Sequence, residues 1–103
     1  MNDIEKIEIR INNLIHPMEL CIVPSTLKCY VKDTCKDMKK EDLEHLLDII
    51  CLWDYEYILS NDIDAETYEI KIYISTGVDT YIGRGANPEG YQEFIRLVGE
   101  YYG

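Results

Sequence analysis

Two histidines, His16 and His45, and four cysteines, Cys21, Cys29, Cys35 and Cys51, are the side chains best suited to metal or nucleophilic chemistry in this sequence. Their spacing argues against both uses. Seven, five and fifteen residues separate successive cysteines, so the close pair of a structural zinc site is missing. Neither histidine lies at ligand spacing from the other or from a cysteine. A catalytic Cys–His pair meets in space rather than in sequence, and no spacing here singles one out. No serine sits in a GxSxG elbow. The cysteines are expected to be small buried hydrophobes in a reducing compartment. A Cys21–Cys29 bridge across a hairpin would need an oxidising one.

Carboxylates are plentiful, but spacing pairs no two of them for acid–base work. Asp62, Asp64 and Glu66 alternate like part of a calcium loop, yet the required Gly and the distal bidentate Glu are out of register. No metal and no cofactor is expected. Gly83-Arg84-Gly85 is the loop best placed to hold an anion. It follows a predicted strand and precedes a predicted helix, where free N–H groups and one Arg can cradle a phosphate. GRGANPEG matches neither a P-loop nor a dinucleotide fingerprint, so anion binding at Gly83, Arg84 and Gly85, or a nucleotide-binding domain using the Gly83–Gly90 loop, stands as an alternative.

The tyrosines say more. There are nine of them against one Phe, and a buried phenol must find a hydrogen-bond partner, which makes Tyr a costlier core residue. Tyr30, Tyr73 and Tyr81 fall on the polar phase of their predicted strands. Tyr55 and Tyr57 share one phase of another. Tyr is enriched at protein interfaces, so a tyrosine-bearing sheet face is a plausible contact surface. Packing between two halves of the chain, or in a homodimer, is the competing use.

Charge points the same way. Twenty acids oppose ten bases, a net −10. Such a chain repels phosphate backbones and anionic membranes and is drawn to basic surfaces. Residues 1–51 carry a net −3 and residues 52–103 a net −7. Asp54, Glu56, Asp62, Asp64, Glu66 and Glu69 follow one another without an intervening base. The expected partner-binding set is therefore these six acids together with Tyr30, Tyr55, Tyr57, Tyr73 and Tyr81.

The elements that must position these groups are read from hydrophobic period. IEKIEIRI (4–11) and YEIKIYIS (68–75) alternate as half-buried strands. Residues 19–23, 27–32, 54–59 and 78–83 read as further strands, with Pro24-Ser25-Thr26 and Thr76-Gly77 as turns. Residues 38–52 read as a helix capped by Asp37, with Leu43, Leu46, Leu47 and Ile50 as its buried stripe. A second helix opens at Asn87-Pro88 and buries Phe94, Leu97, Val98 and Tyr101. The length, 103 residues, is that of one domain.

The expected fold is α+β: two antiparallel three-stranded units, each followed by a helix (βββα-βββα). A shift of fifty-one residues lays one hydrophobic pattern on the other, so half-repeats 1–51 and 52–103 are expected to form a pseudo-twofold domain. No run approaches a membrane span and no signal sequence is visible. The expected setting is the cytoplasm of a bacterium or of a phage-infected host. The expected function is that of a small acidic inhibitor blocking a basic, nucleic-acid-handling protein, as a phage anti-defence (anti-CRISPR-type) protein does. An immunity protein neutralising a nuclease toxin uses the same physics. Neither contacts nucleic acid directly, and no enzymatic activity is expected.

Overall fold

The computed structural model describes residues 4–13, 15, 17–61 and 65–103. Alternating apolar residues build one seven-stranded mixed sheet, and two helices cover one of its faces. The chain order is β1 (Ile4–Asn12), β2 (Met18–Val23), β3 (Lys28–Val31), β4 (Thr34–Asp37), α1 (Lys40–Ile50), β5 (Glu56–Ile58), β6 (Thr67–Ile74), β7 (Gly77–Arg84) and α2 (Tyr91–Tyr102). The order across the sheet is β4-β3-β2-β1-β6-β7-β5.

The strand faces follow from the period of two. Ile7, Ile9 and Ile11 of β1, Leu20 and Ile22 of β2, Cys29 and Val31 of β3, and Tyr68, Ile70 and Ile72 of β6 are buried against the helices. Leu43, Leu46, Ile49 and Ile50 of α1 and Phe94, Leu97 and Val98 of α2 complete that core. Trp53, just past α1, is buried among Tyr68, Tyr91 and Phe94, with ring centroids 5.2, 6.0 and 5.2 Å away. Its indole Nε1 donates to the Glu89 carbonyl at 2.7 Å, which ties the exit of α1 to the entry of α2.

The α+β class is as expected, but the sheet is not two three-stranded units. A fourth strand, β4, follows β3 through a turn at Lys32-Asp33, where Lys32 takes φ 53°. The proposed counterparts β1 and β5 also occupy unlike places. β1 is central and antiparallel to both β2 and β6, whereas β5 is an edge strand running parallel to β7.

Helix ends shift as well. The N-cap of α1 is Lys39, without a side-chain cap bond, because Asp37 is the last residue of β4 and its carboxylate pairs with Lys28. The N-cap of α2 is Gly90 at φ 81°, and Asn87-Pro88 lies in the preceding loop, where the Pro88 carbonyl accepts the Tyr91 N–H at 3.0 Å. Among the described residues no helix is long and apolar enough to cross a membrane.

Candidate functional site

Register sorts the predicted site residues onto two faces and one edge. Cys21 pairs with Tyr30 and with Glu8, Glu8 with Lys71, and Lys71 with Thr80. These side chains share the face away from the helices. Tyr30 and Tyr73 stand on this open face, as expected, but their neighbours are of mixed charge. The Tyr73 hydroxyl donates to Glu8 at 2.6 Å, and Lys6 lies over the Tyr73 ring at 4.6 Å. Arg10 pairs with Glu19 at 3.3 Å, and Glu69 lies beside Arg10 in the ladder. This face carries an open depression of about 770 Å³ lined in part by Glu8, Arg10, Glu19, Tyr30 and Lys71. Its charges are largely matched to one another, so it presents no single-signed field.

The hydrogen bond from Tyr73 holds the Glu8 carboxyl below its ordinary value, with Lys6 assisting. A carboxyl lowered in the folded state adds stability above its ordinary pKa and loses it as pH falls through the lowered one. In Tyr73→Phe the Glu8 carboxyl is therefore expected to titrate closer to 4.5, and the acid-side loss of stability to shrink. A carboxyl NMR titration that finds Glu8 unmoved contradicts this.

Tyr81 is on the other side. Ile70 pairs with Tyr81, and Tyr68 with Gly83, so Tyr81 faces the helix layer, half-buried, with its ring 4.8 Å from that of Tyr55. Tyr57 pairs with Gly83 and packs against the core, its hydroxyl accepting the Asp54 N–H at 3.1 Å. Glu66 is no outward carboxylate. It is half-buried and accepts from Tyr91 and, at 2.9 Å, from Asn13, bracing the start of β6 against the start of α2. Burial, and then that bond, push the Tyr91 phenol far up. Asp62, Asp64 and His16 lie outside the described residues.

The predicted surface of acids and tyrosines is thus divided. β3, bearing Tyr30, and β5 are five strand spacings apart in the sheet order, roughly 24 Å. What remains together is the β5 end. Asp54, Tyr55 and Glu56 are exposed there, joined by side chains the sequence reading passed over: Leu52 at 63%, Ile58 at 47% and Leu59 at 70% exposure. These large apolar side chains lie open to water in a stretch that also carries carboxylates. The sequence marks the stretch by its charge but does not mark these apolar side chains. No Lys or Arg occurs between Lys40 and Lys71, and β5 is built from that stretch, while Arg84 of β7 stands beside Ile58 in the ladder.

The Gly83–Gly90 loop has structural reasons for its glycines. A Cβ on Gly83 would overlap the Tyr68 ring, and Gly85, at φ 63°, would press on Ser60. Arg84 is the last residue of β7, and its carbonyl accepts the Leu59 N–H at 3.0 Å. The two glycines therefore serve packing and backbone conformation.

The remaining chemistry-bearing residues stay apart. Cys29 alone among the cysteines is buried, and burial pushes its thiol up to about 11. Cys21 is half-buried, while Cys35 and Cys51 are exposed, so the expectation of four buried cysteines holds for one. All four are free. Cys21 and Cys29 cannot bridge, because Cys29 pairs with Ile22 and the period of two turns Cys21 to the opposite face. His45 Nε2 lies 3.3 Å from Glu93 Oε2 on the helix surface. There Arg96, with His45, holds the Glu93 carboxyl at about 2. Among the described residues no three His, Cys, Asp or Glu side chains are grouped to hold a metal. No protein-family model, no curated protein and no solved structure matches the chain.

Proposed function

We propose that the protein acts by binding another protein: it docks its β5 end on a basic, nucleic-acid-handling partner and blocks it. The observation carrying this reading is the exposed apolar set Leu52, Tyr55, Ile58 and Leu59 beside Asp54 and Glu56, in a stretch without a base. Apolar side chains would supply the desolvated centre of the contact, and the carboxylates its rim. Carboxylates on the rim steer encounter with Lys and Arg that otherwise grip phosphate, and that steering weakens as salt rises. The same surface would repel nucleic acid itself.

A phage anti-defence role, of the anti-CRISPR kind, and an immunity role against a nuclease toxin both use this surface. A toxin gene beside the coding sequence selects the second, and a phage locus the first.

The test is affinity capture from a host lysate at low and high salt, with three baits. These are the wild-type chain, Asp54→Asn/Glu56→Gln, and Leu52→Ser/Leu59→Ser. Captured proteins rich in Lys and Arg, released by salt, reduced with both variants and losing their nucleic acid when the wild-type chain is added, are the expected result. Capture equal for all three baits, or a captured protein that still binds its nucleic acid, rejects the reading.

A further inference from the structure

We propose that β5 is an acceptor strand: the partner adds an extended, basic and apolar segment to the free edge of the sheet beside Glu56 and Ile58. The proposal rests on the docking reading above and specifies how that docking occurs.

Backbone geometry assigns the edge. The Tyr55 carbonyl accepts the Ile82 N–H at 2.9 Å, and the Leu59 N–H donates to the Arg84 carbonyl at 3.0 Å. Tyr57 lies opposite Gly83 between them. The ladder to β7 therefore uses the backbone groups of residues 55, 57 and 59. Backbone groups alternate in direction along a strand, so those of Glu56 and Ile58 point away from β7. β5 is the last strand of the sheet, and a row of outward N–H and C=O groups is a template for another strand.

The two edges of the sheet are treated differently. β4, at the far edge, carries Lys36 and Asp37. The Lys36 ammonium donates to the Tyr101 carbonyl at 2.7 Å and Asp37 is paired with Lys28. Lysine is the foremost of the charged protections of an edge against pairing, and β5 has none, its own charge being the Glu56 carboxylate. β5 instead shows Ile58 on one face and Tyr55 and Leu59 by the other, all exposed. An added strand would cover apolar side chains on both faces at once.

Charge selects the occupant. Asp54 and Glu56 flank the edge, and β5 itself carries no base, Arg84 of β7 standing beside Ile58 on the inner side. A second copy would add its own Asp54 and Glu56 to this edge and no cation from its β5, so like charge would gather there. A segment alternating Lys or Arg with Val or Ile would place its cations on the face of Glu56 and Ile58 and its apolar side chains on the face of Tyr55 and Leu59.

The probe is a short peptide alternating Lys and Val, compared with the same peptide N-methylated on every second amide and with a Lys-Ala peptide that favours a helix. Binding is followed by backbone NMR and amide hydrogen exchange. The expected result is slowing of the Glu56 and Ile58 amides by about tenfold or more at saturating Lys-Val peptide. Binding weakens by at least about tenfold on N-methylation, and the Lys-Ala peptide leaves both amides unprotected. Ile58→Pro removes one outward donor and leaves the β7 ladder its own bonds, as edge positions tolerate, so it should keep the wild-type melting point and lose the peptide.

Equal binding of the Lys-Val and N-methylated peptides overturns strand addition even if Ile58→Pro fails to fold. So does a dimer by light scattering that excludes the peptide. Lysate capture that responds to Asp54→Asn/Glu56→Gln but not to Ile58→Pro also overturns it, while leaving the docking reading standing. Peptide protection without any lysate partner sinks the docking reading alone.

Discussion

Phe94→Ala should lower the free energy of unfolding by about 3–5 kcal/mol, the usual cost of emptying a fully buried aromatic site. A chain of this length is expected to hold about 5–15 kcal/mol in total, so the loss is about a fifth of it or more. Phe94 is 0% exposed. Its ring meets Trp53 edge-on at 5.2 Å and stacks on Tyr91 at 6.1 Å. Both neighbours are anchored by hydrogen bonds, Trp53 to the Glu89 carbonyl and Tyr91 to Glu66, and neither is free to slide into the void. At roughly 4–8 °C per kcal/mol, the midpoint falls by more than ten degrees. Trp53 is the one tryptophan of the chain, so its fluorescence in a denaturant titration reports the change directly. A free energy within about 1 kcal/mol of wild type would show that the cluster refills the space. The consequence reaches β5, because Trp53 ends the turn from which that strand begins. A weakened cluster should also raise hydrogen exchange at Tyr57 and Leu59, whose amides face β7.

Sequence period was enough to place β1 and β6. Each buries one face only, and Ile7, Ile9 and Ile11, like Ile70 and Ile72, leave no other phase available. It was not enough for β4. A Lys-Asp turn carries none of the Asn-Gly chemistry that marks a hairpin, and Thr34–Asp37 has no apolar alternation. Strand order was out of reach for a different reason: the pairing of β1 with β6, and of β5 with β7, depends on contacts between residues far apart in the chain.

Tyr81 shows how one pairing decides a site. In Val78–Ile82 the apolar residues Val78 and Ile82 share a phase, which put Tyr81 on the other. The register Tyr68 to Gly83 reverses that assignment. Asp54, Tyr55 and Glu56 could be picked out because acids and tyrosines there lacked bases. Leu52, Ile58 and Leu59 could not, because an exposed apolar residue and a core one look the same in sequence.

The second large effect lies under that register. Gly83→Ala is expected to cost about 2–3 kcal/mol, within the range for overpacking, since the new Cβ would overlap the Tyr68 ring. The ring cannot yield easily: Trp53 and Tyr91 hold it at 5.2 and 5.6 Å. Its hydroxyl is buried and has no hydrogen-bond partner among the described residues, and burial pushes the phenol up to about 12. A buried unpartnered hydroxyl costs on the order of 1–3 kcal/mol, so Tyr68→Phe by itself should leave stability unchanged or raise it by about 1 kcal/mol. Tyr68→Leu should cost stability alone but recover much of the loss in the Gly83→Ala background, because the smaller side chain gives the Cβ room. The cycle isolates the contact as a coupling term. If Gly83→Ala and Tyr68→Leu simply add, the glycine is not there to seat the ring. Strict coupling, by contrast, would tie the parallel placement of β5 to one missing side chain: Gly83 admits Tyr68 beneath it and pairs with Tyr57 beside it, and the β5 edge is held in place from below.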